Sequence, residues 1–276
     1  MPRVQIHPIL TAAALVVAVC CGYVPAASAQ YFAEPAELPI GENYRVELLG
    51  GVWSTLPDIT MSSDEFGIAG TAIDFVNDLG IGAQALGEFR LRLRPGRRHR
   101  FRIDYIPGSY SAQGTPNRRL VFRGIAFDPG EPVASTMVWR TVRLGYQYDV
   151  VQRSRGYAGI ILEARYTELE AALENAAGKE FVRARGPIPS LGAMARFYPL
   201  PILAISTEVS FFHLPKDVVE GYAGQHLDLD VYGTINLTRQ FGAQFGYRSL
   251  ELNLSTTEEE ADLRSTGIYF GILLRL

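Results

Sequence analysis

His226, Asp228 and Asp230 are two residues apart, so in an extended segment their side chains share one face. An imidazole beside a carboxylate is the arrangement by which a general base activates water. Little else in the sequence joins them. His213 falls in the opposite phase to His226 and does not converge on it, and Asp64-Glu65 is an adjacent acidic pair whose members point opposite ways in extended chain. The sequence has no zinc-ligand spacing, P-loop, nucleophile elbow or dinucleotide fingerprint, so it gives no reason to expect a metal or cofactor.

The commoner charged residue in the alternating segments is arginine. Residues 89–94 read Phe-Arg-Leu-Arg-Leu-Arg, residues 100–105 read Arg-Phe-Arg-Ile-Asp-Tyr, and residues 226–231 read His-Leu-Asp-Leu-Asp-Val. Strict alternation at period 2 describes strands with one apolar and one polar face. The polar phase collects Glu88, Arg90, Arg92, Arg94, Arg100, Arg102, Asp104, Arg143, Asp149, Glu163, Arg165, Arg196, Glu208, Asp228, Asp230 and Arg248. If the apolar phase faces outward, these residues fill the interior. Their near balance of sign favours ion-paired, side-chain-filled packing, because an unpaired buried charge is costly. His226 then pairs within that network rather than acting on a substrate.

Ten such runs can be drawn, over 44–55, 83–94, 99–112, 133–151, 157–173, 182–198, 202–213, 225–237, 241–255 and 263–276. Counts of eight or twelve also fit the length. Tight connections at 95–98, 152–156, 199–201 and 238–240 alternate with longer ones at 56–82, 113–132, 175–179, 214–224 and 256–262. That is an up-and-down sheet with short turns at one end and long loops at the other. Residues 71–80 carry a possible cap at Thr71, an Asp at 74 and a closing Gly80, and predict a short amphipathic helix at the mouth. Residues 128–131, Asp-Pro-Gly-Glu, predict a turn around which 118–137 extends two strands.

Residues 9–19 are an apolar run preceded by Arg3 and followed by Ala27-Ser28-Ala29, the pattern of a secretory signal peptide cut near Ala29. Cys20 and Cys21 both lie within it, so the exported chain carries no disulfide. The expected organisation is a signal peptide at 1–29, a periplasmic leader at 30–43 and a barrel at 44–276. A pI near 5.9 and a net charge of -3 argue against nucleic-acid binding.

The final segment places Ile268, Phe270, Ile272, Leu274 and Leu276 on one apolar face. This resembles the terminal strand of small single-chain bacterial outer-membrane β-barrels of the porin-like class, and residues 242–250 also look like a late strand of that class. The resemblance implies an all-β, closed, up-and-down antiparallel transmembrane barrel in the outer membrane of a Gram-negative-type bacterium. Phe270, Ile272, Leu274 and Leu276 would serve as the signal read by the barrel-assembly machinery. Membrane lipid and lipopolysaccharide would be the partners, the latter through phosphate contacts to Arg118, Arg119, Arg123 and Arg140. The expected role is non-enzymatic: structural, or a narrow solute path. Two alternatives stay open. One is an omptin-like rim hydrolase using His226 and Asp228, though that family also needs a facing Asp pair. The other is a soluble periplasmic ligand-binding barrel with the two faces exchanged.

Overall fold

Alternating side chains need two different surroundings, and ten long strands of the chain supply them by closing on themselves. The computed structural model describes residues 39–64, 69–176, 178–219, 221–257 and 259–276. The expected signal peptide and the leader up to residue 38 lie outside the described residues. The barrel strands are β1 (Val46–Ser63), β2 (Gln84–Leu93), β3 (His99–Gly114), β4 (Val133–Arg153), β5 (Gly156–Asn175), β6 (Gly178–Leu200), β7 (Leu203–Val219), β8 (Tyr222–Asn236), β9 (Phe241–Thr256) and β10 (Glu259–Arg275). Each pairs antiparallel with its sequence neighbours. β10 closes the ring on β1, in register from Glu47 opposite Arg275 to Ser63 opposite Glu259. Closure satisfies the backbone donors and acceptors that an open sheet would expose to hydrocarbon.

The outward face near the short turns is apolar. Val52, Phe101, Leu144, Leu162, Leu191, Phe245, Ile268, Phe270 and Ile272 all stand exposed there, while Arg100 and Arg102 beside Phe101, Arg143 beside Leu144 and Glu163 beside Leu162 are buried. His99, Phe101, Tyr146 and Tyr148 pack ring against ring on this face at the short-turn end, with centroids 5.4–6.0 Å apart. A lipid-facing band edged by aromatic residues is the outer-membrane pattern.

The strands run further toward the long-loop end than their alternation suggested, β1 to Ser63 and β10 from Glu259. Three of the expected long loops are therefore strand that ends in a tight turn. In this outer part the two faces trade character. On β10, Ala261 and Leu263 point inward while Asp262 and Arg264 point out; on β5, Leu169, Ala171 and Leu173 point inward while Glu168 and Glu170 point out. Among the described residues, the buried charged side chains thus lie in the membrane half. Above it lies an oily core that includes Trp53, Ile59, Met61, Trp139, Leu250 and Leu252. The reason is solvent: the wall meets hydrocarbon below and water above, so the side chains that must be hidden change from charged to apolar. The exchanged-face alternative describes this outer half alone.

The connections cap that core. Residues 71–80 form no helix: Ile73–Asp74 adds a two-residue strand to β1, and one turn follows. Asp74, not Thr71, caps the turn, accepting from the Val76 and Asn77 N–H groups at 2.9 and 2.8 Å. Gly80, at φ 77°, ends it as expected. Thr71 instead accepts from the Val121 N–H at 3.1 Å. Ile73, Phe75, Leu79 and Ile81 are wholly buried, so the segment plugs the mouth. It lies over the short β2, which pairs with β3 only between Phe89–Leu93 and Phe101–Tyr105. It packs so closely that a Cβ on Gly114 would lie 2.5 Å from the Leu79 carbonyl oxygen. In the second loop the hairpin Leu120–Phe122/Ile125–Phe127 turns at Arg123-Gly124, both at positive φ, rather than around 128–131. Its Leu120, Phe122 and Phe127 also point into the core.

Candidate functional site

The charged residues of the membrane half meet in the lumen in three tiers. The lowest is organised by Glu42, in a short 3-10 turn (Ile40–Glu42) that enters the barrel from the short-turn end. Arg94 and Arg100 bond its Oε2 at 3.2 and 3.1 Å, and Arg196 bonds Oε1 at 3.1 Å. The Tyr198 hydroxyl donates to Oε1 at 2.6 Å, and Arg94 also donates to the Glu42 carbonyl. Burial by itself would raise the Glu42 carboxyl, but Arg100, Arg196 and Arg94 outweigh it and hold the pKa down at about 2, against an ordinary 4.5. Arg100 reaches on to Asp149 at 2.9 Å and lies over the Tyr157 ring. Glu47 on β1 accepts from Arg275 on β10 at 2.6 Å, an ion pair across the closing seam.

The middle tier joins Arg102 to Glu208, which also accepts from the Tyr232 hydroxyl at 2.6 Å. Arg92 and Arg143 share Asp104. Arg90 bridges Glu88 and Asp230 at 3.1 and 3.0 Å with its guanidinium over Tyr269. The top tier centres on Asp228, which takes Arg143, Arg165 and Arg248 at 3.1, 2.9 and 2.6 Å. Glu163 accepts from Arg165 at 3.2 Å, and Arg248 lies 3.7 Å from Glu88. Four strands (β4, β5, β8 and β9) supply the Asp228 cluster, so it spans the lumen. The spaces left within these tiers measure ≈ 10 Å³ beside Asp228 and Asp230 and ≈ 20 Å³ beside Arg90 and Arg92. About 10–15 Å³ admits one water.

All the arginines and carboxylates expected inside are therefore in this network. It also holds members that the sequence reading missed. Glu47 and Arg275 sat in the polar phase of the first and last alternating runs and were legible there. Glu42 carried no signal, because no periodicity operates in the Pro/Glu-rich segment before β1. Assigning residues 30–43 to a leader separate from the barrel thus fails at its end, since Glu42 is part of the lumen packing.

His226 does not stand at the outer rim. It is 1 % exposed, beneath the oily core, and its Nδ1 lies 3.0 Å from the Glu251 carbonyl oxygen. Asp228, its expected partner, is held by the three arginines instead. Asp64 lies exposed at the far end of β1 and accepts from the Gly70 N–H at 2.7 Å; Glu65 lies outside the described residues. Among the described residues no three His, Cys, Asp or Glu side chains gather as a metal site. The loop arginines have carboxylate partners: Arg118 pairs with Asp78, Arg119 with Asp128 at 3.4 Å, Arg123 with Glu259 at 3.6 Å and Arg140 with Glu168 at 3.7 Å.

No protein-family model matches the sequence, and no curated protein matches it. Among solved structures, the outer-membrane protease OmpT of Escherichia coli superposes with a TM-score of 0.56 at 7 % identity, over 90 % of this chain and 100 % of OmpT. The translocator domain of the autotransporter NalP from Neisseria meningitidis follows at a TM-score of 0.47 and 8 % identity, over 97 % of this chain and 96 % of that one. The Pseudomonas putida toluene transporter TodX gives 0.38 at 8 %, over 88 % and 93 %. The fold is that of a small bacterial outer-membrane β-barrel. At such identities the likeness concerns the fold alone, and function must be argued from the residues.

Proposed function

We propose that this protein is a non-enzymatic barrel of the outer membrane of a Gram-negative-type bacterium, with a lumen closed by its own side chains. It serves as a structural scaffold that carries a water-facing outer half at the cell surface. The observation supporting this most directly is the Asp228 cluster: three arginines from three strands converge on one carboxylate across the lumen, beneath the oily core. Barrels near eight strands are filled by side chains, whereas aqueous channels take about 16.

Planar-bilayer recording tests it. Folded protein should give no single-channel steps, and steady conductance would overturn the closed-lumen reading in favour of the narrow solute path. A hydrolase built on His226 and Asp228 has no supporting geometry, because the space beside His226 measures ≈ 0 Å³. The proposed partners are membrane lipid around the apolar band, lipopolysaccharide phosphates over the arginines of the outer loops, and an assembly machinery that reads the Phe270, Ile272, Leu274 and Leu276 face. Fractionation checks the location: recovery in soluble periplasm without detergent would exclude the membrane.

A further inference from the structure

β6 and β7 pair from Leu200 opposite Leu203 only as far as Leu191 opposite Phe211. Beyond that rung β6 continues its ladder with β5 to Gly178, and β7 continues with β8 to Val219. The two strands therefore part, and the wall between them is unpaired. The residues explain it. Pro187 and Pro189 lack N–H donors, and a proline fits a ladder only where its missing donor faces away from the partner. With the ladder to β5 unbroken at both prolines, the missing donors lie on the β7 side.

The gap starts at the upper edge of the apolar band. Leu191 and Phe211, its last paired rung, are 60 % and 48 % exposed on the outward face. Two outward residues higher on β6, Tyr166 of β5 stands outward opposite Pro187, and beyond it the outward residues include Arg185, Arg183 and Glu168. Behind the gap lies a cavity of ≈ 280 Å³ whose lining includes Met61, Leu169, Val182, Phe212, Leu254 and Ala261. A dry aliphatic cavity of about 150 Å³ holds benzene, so this one has room for a longer apolar group. Among the described lining residues, Arg185 is the cation, and it is exposed on the outward face. Its neighbour Arg183 is engaged by Glu170, but among the described residues Arg185 has no ion-pair partner.

We propose that this cavity receives the aliphatic chain of a fatty-acid-like amphiphile dissolved in the surrounding leaflet. The chain passes sideways between β6 and β7, and the anionic head stays at the membrane surface beside Arg185. The site lies in the outer half and does not depend on whether the charged half conducts.

The test uses the protein's two tryptophans. Trp139 lines a space that shares Thr167 and Ile188 with the cavity, and Trp53 lies in the same core. Full-length protein refolded into phosphatidylcholine vesicles is titrated with a bromine-substituted stearic acid, and with the matching brominated alcohol, while tryptophan fluorescence is followed. Saturable quenching by both is expected. Ala184→Phe, which fills the cavity, should weaken both at least tenfold in protein that still resists detergent until boiled. Arg185→Glu, an exposed change that leaves the core intact, should weaken the acid about tenfold and the alcohol little. Quenching that rises linearly without saturation, or that is identical in wild type and Arg185→Glu for the acid, would overturn the proposal.

Discussion

At the scale of single residues, neighbours in sequence live in different solvents. Leu91 sits between Leu48 and Ile103 on the outward face, while Arg92, one residue on, turns inward to Asp104. Leu91→Arg should therefore destabilise the protein more than Arg92→Leu, by roughly 2–4 kcal/mol near the bilayer midplane, as read from urea unfolding in vesicles. Asp104 keeps Arg143 at 3.3 Å when Arg92 is removed, so the inward change is cushioned. Equal or reversed costs would mean the faces are inverted. Asp228 holds three guanidiniums at once, each of which keeps a further carboxylate in Asp104, Glu163 or Glu88. Asp228→Ala leaves Arg143, Arg165 and Arg248 without their shared acceptor, and stripping one partner from a buried ion pair typically costs about 3–5 kcal/mol. The same unfolding measurement checks it.

Elements close the barrel at both ends, by opposite chemistry. The 3-10 turn at the short-turn end works through one carboxylate. Because the Glu42 pKa is depressed in the folded state, its contribution is complete above the unfolded value of about 4.5 and is lost as pH falls toward 2. Comparing wild type with Glu42→Gln should show a stability difference that is largest above pH 4.5 and fades between pH 4.5 and 2. A constant difference across that window would show that the charge is not what matters. The plug of residues 71–81 works through burial. Phe75 is 0 % exposed, and Phe→Ala in a core costs about 3–5 kcal/mol. Phe75→Ala should open the outer loops to protease before the ring of strands yields. Loss of the folded ring together with the loop would show the two to be one cooperative unit.

At the scale of the whole molecule, every barrel strand is paired on both sides at the short-turn end, and the β2–β3 and β6–β7 ladders stop before their strands do. A closed hydrogen-bonded cylinder resists detergent, so unboiled protein should migrate differently from boiled protein on a denaturing gel. Migration that boiling does not change would contradict closure.

The sequence by itself determined the strand alternation, the ten-strand count favoured here, the turn asymmetry and the inward set of arginines and carboxylates. Those follow from period-2 geometry, which is local and needs no partner. It also contained the change of faces, since Ala261-Asp262-Leu263-Arg264 alternates in the opposite sense to Ile268–Leu276. Alternation cannot say which solvent a face meets, so those stretches read as loops. Only the tertiary structure decided that Glu42 folds back into the lumen, that residues 71–80 plug the mouth as a turn rather than a helix, and that His226 lies sealed beneath an oily core. It alone showed β6 and β7 parting above Leu191. These depend on contacts between segments far apart in the chain, where burial against a partner outweighs local propensity.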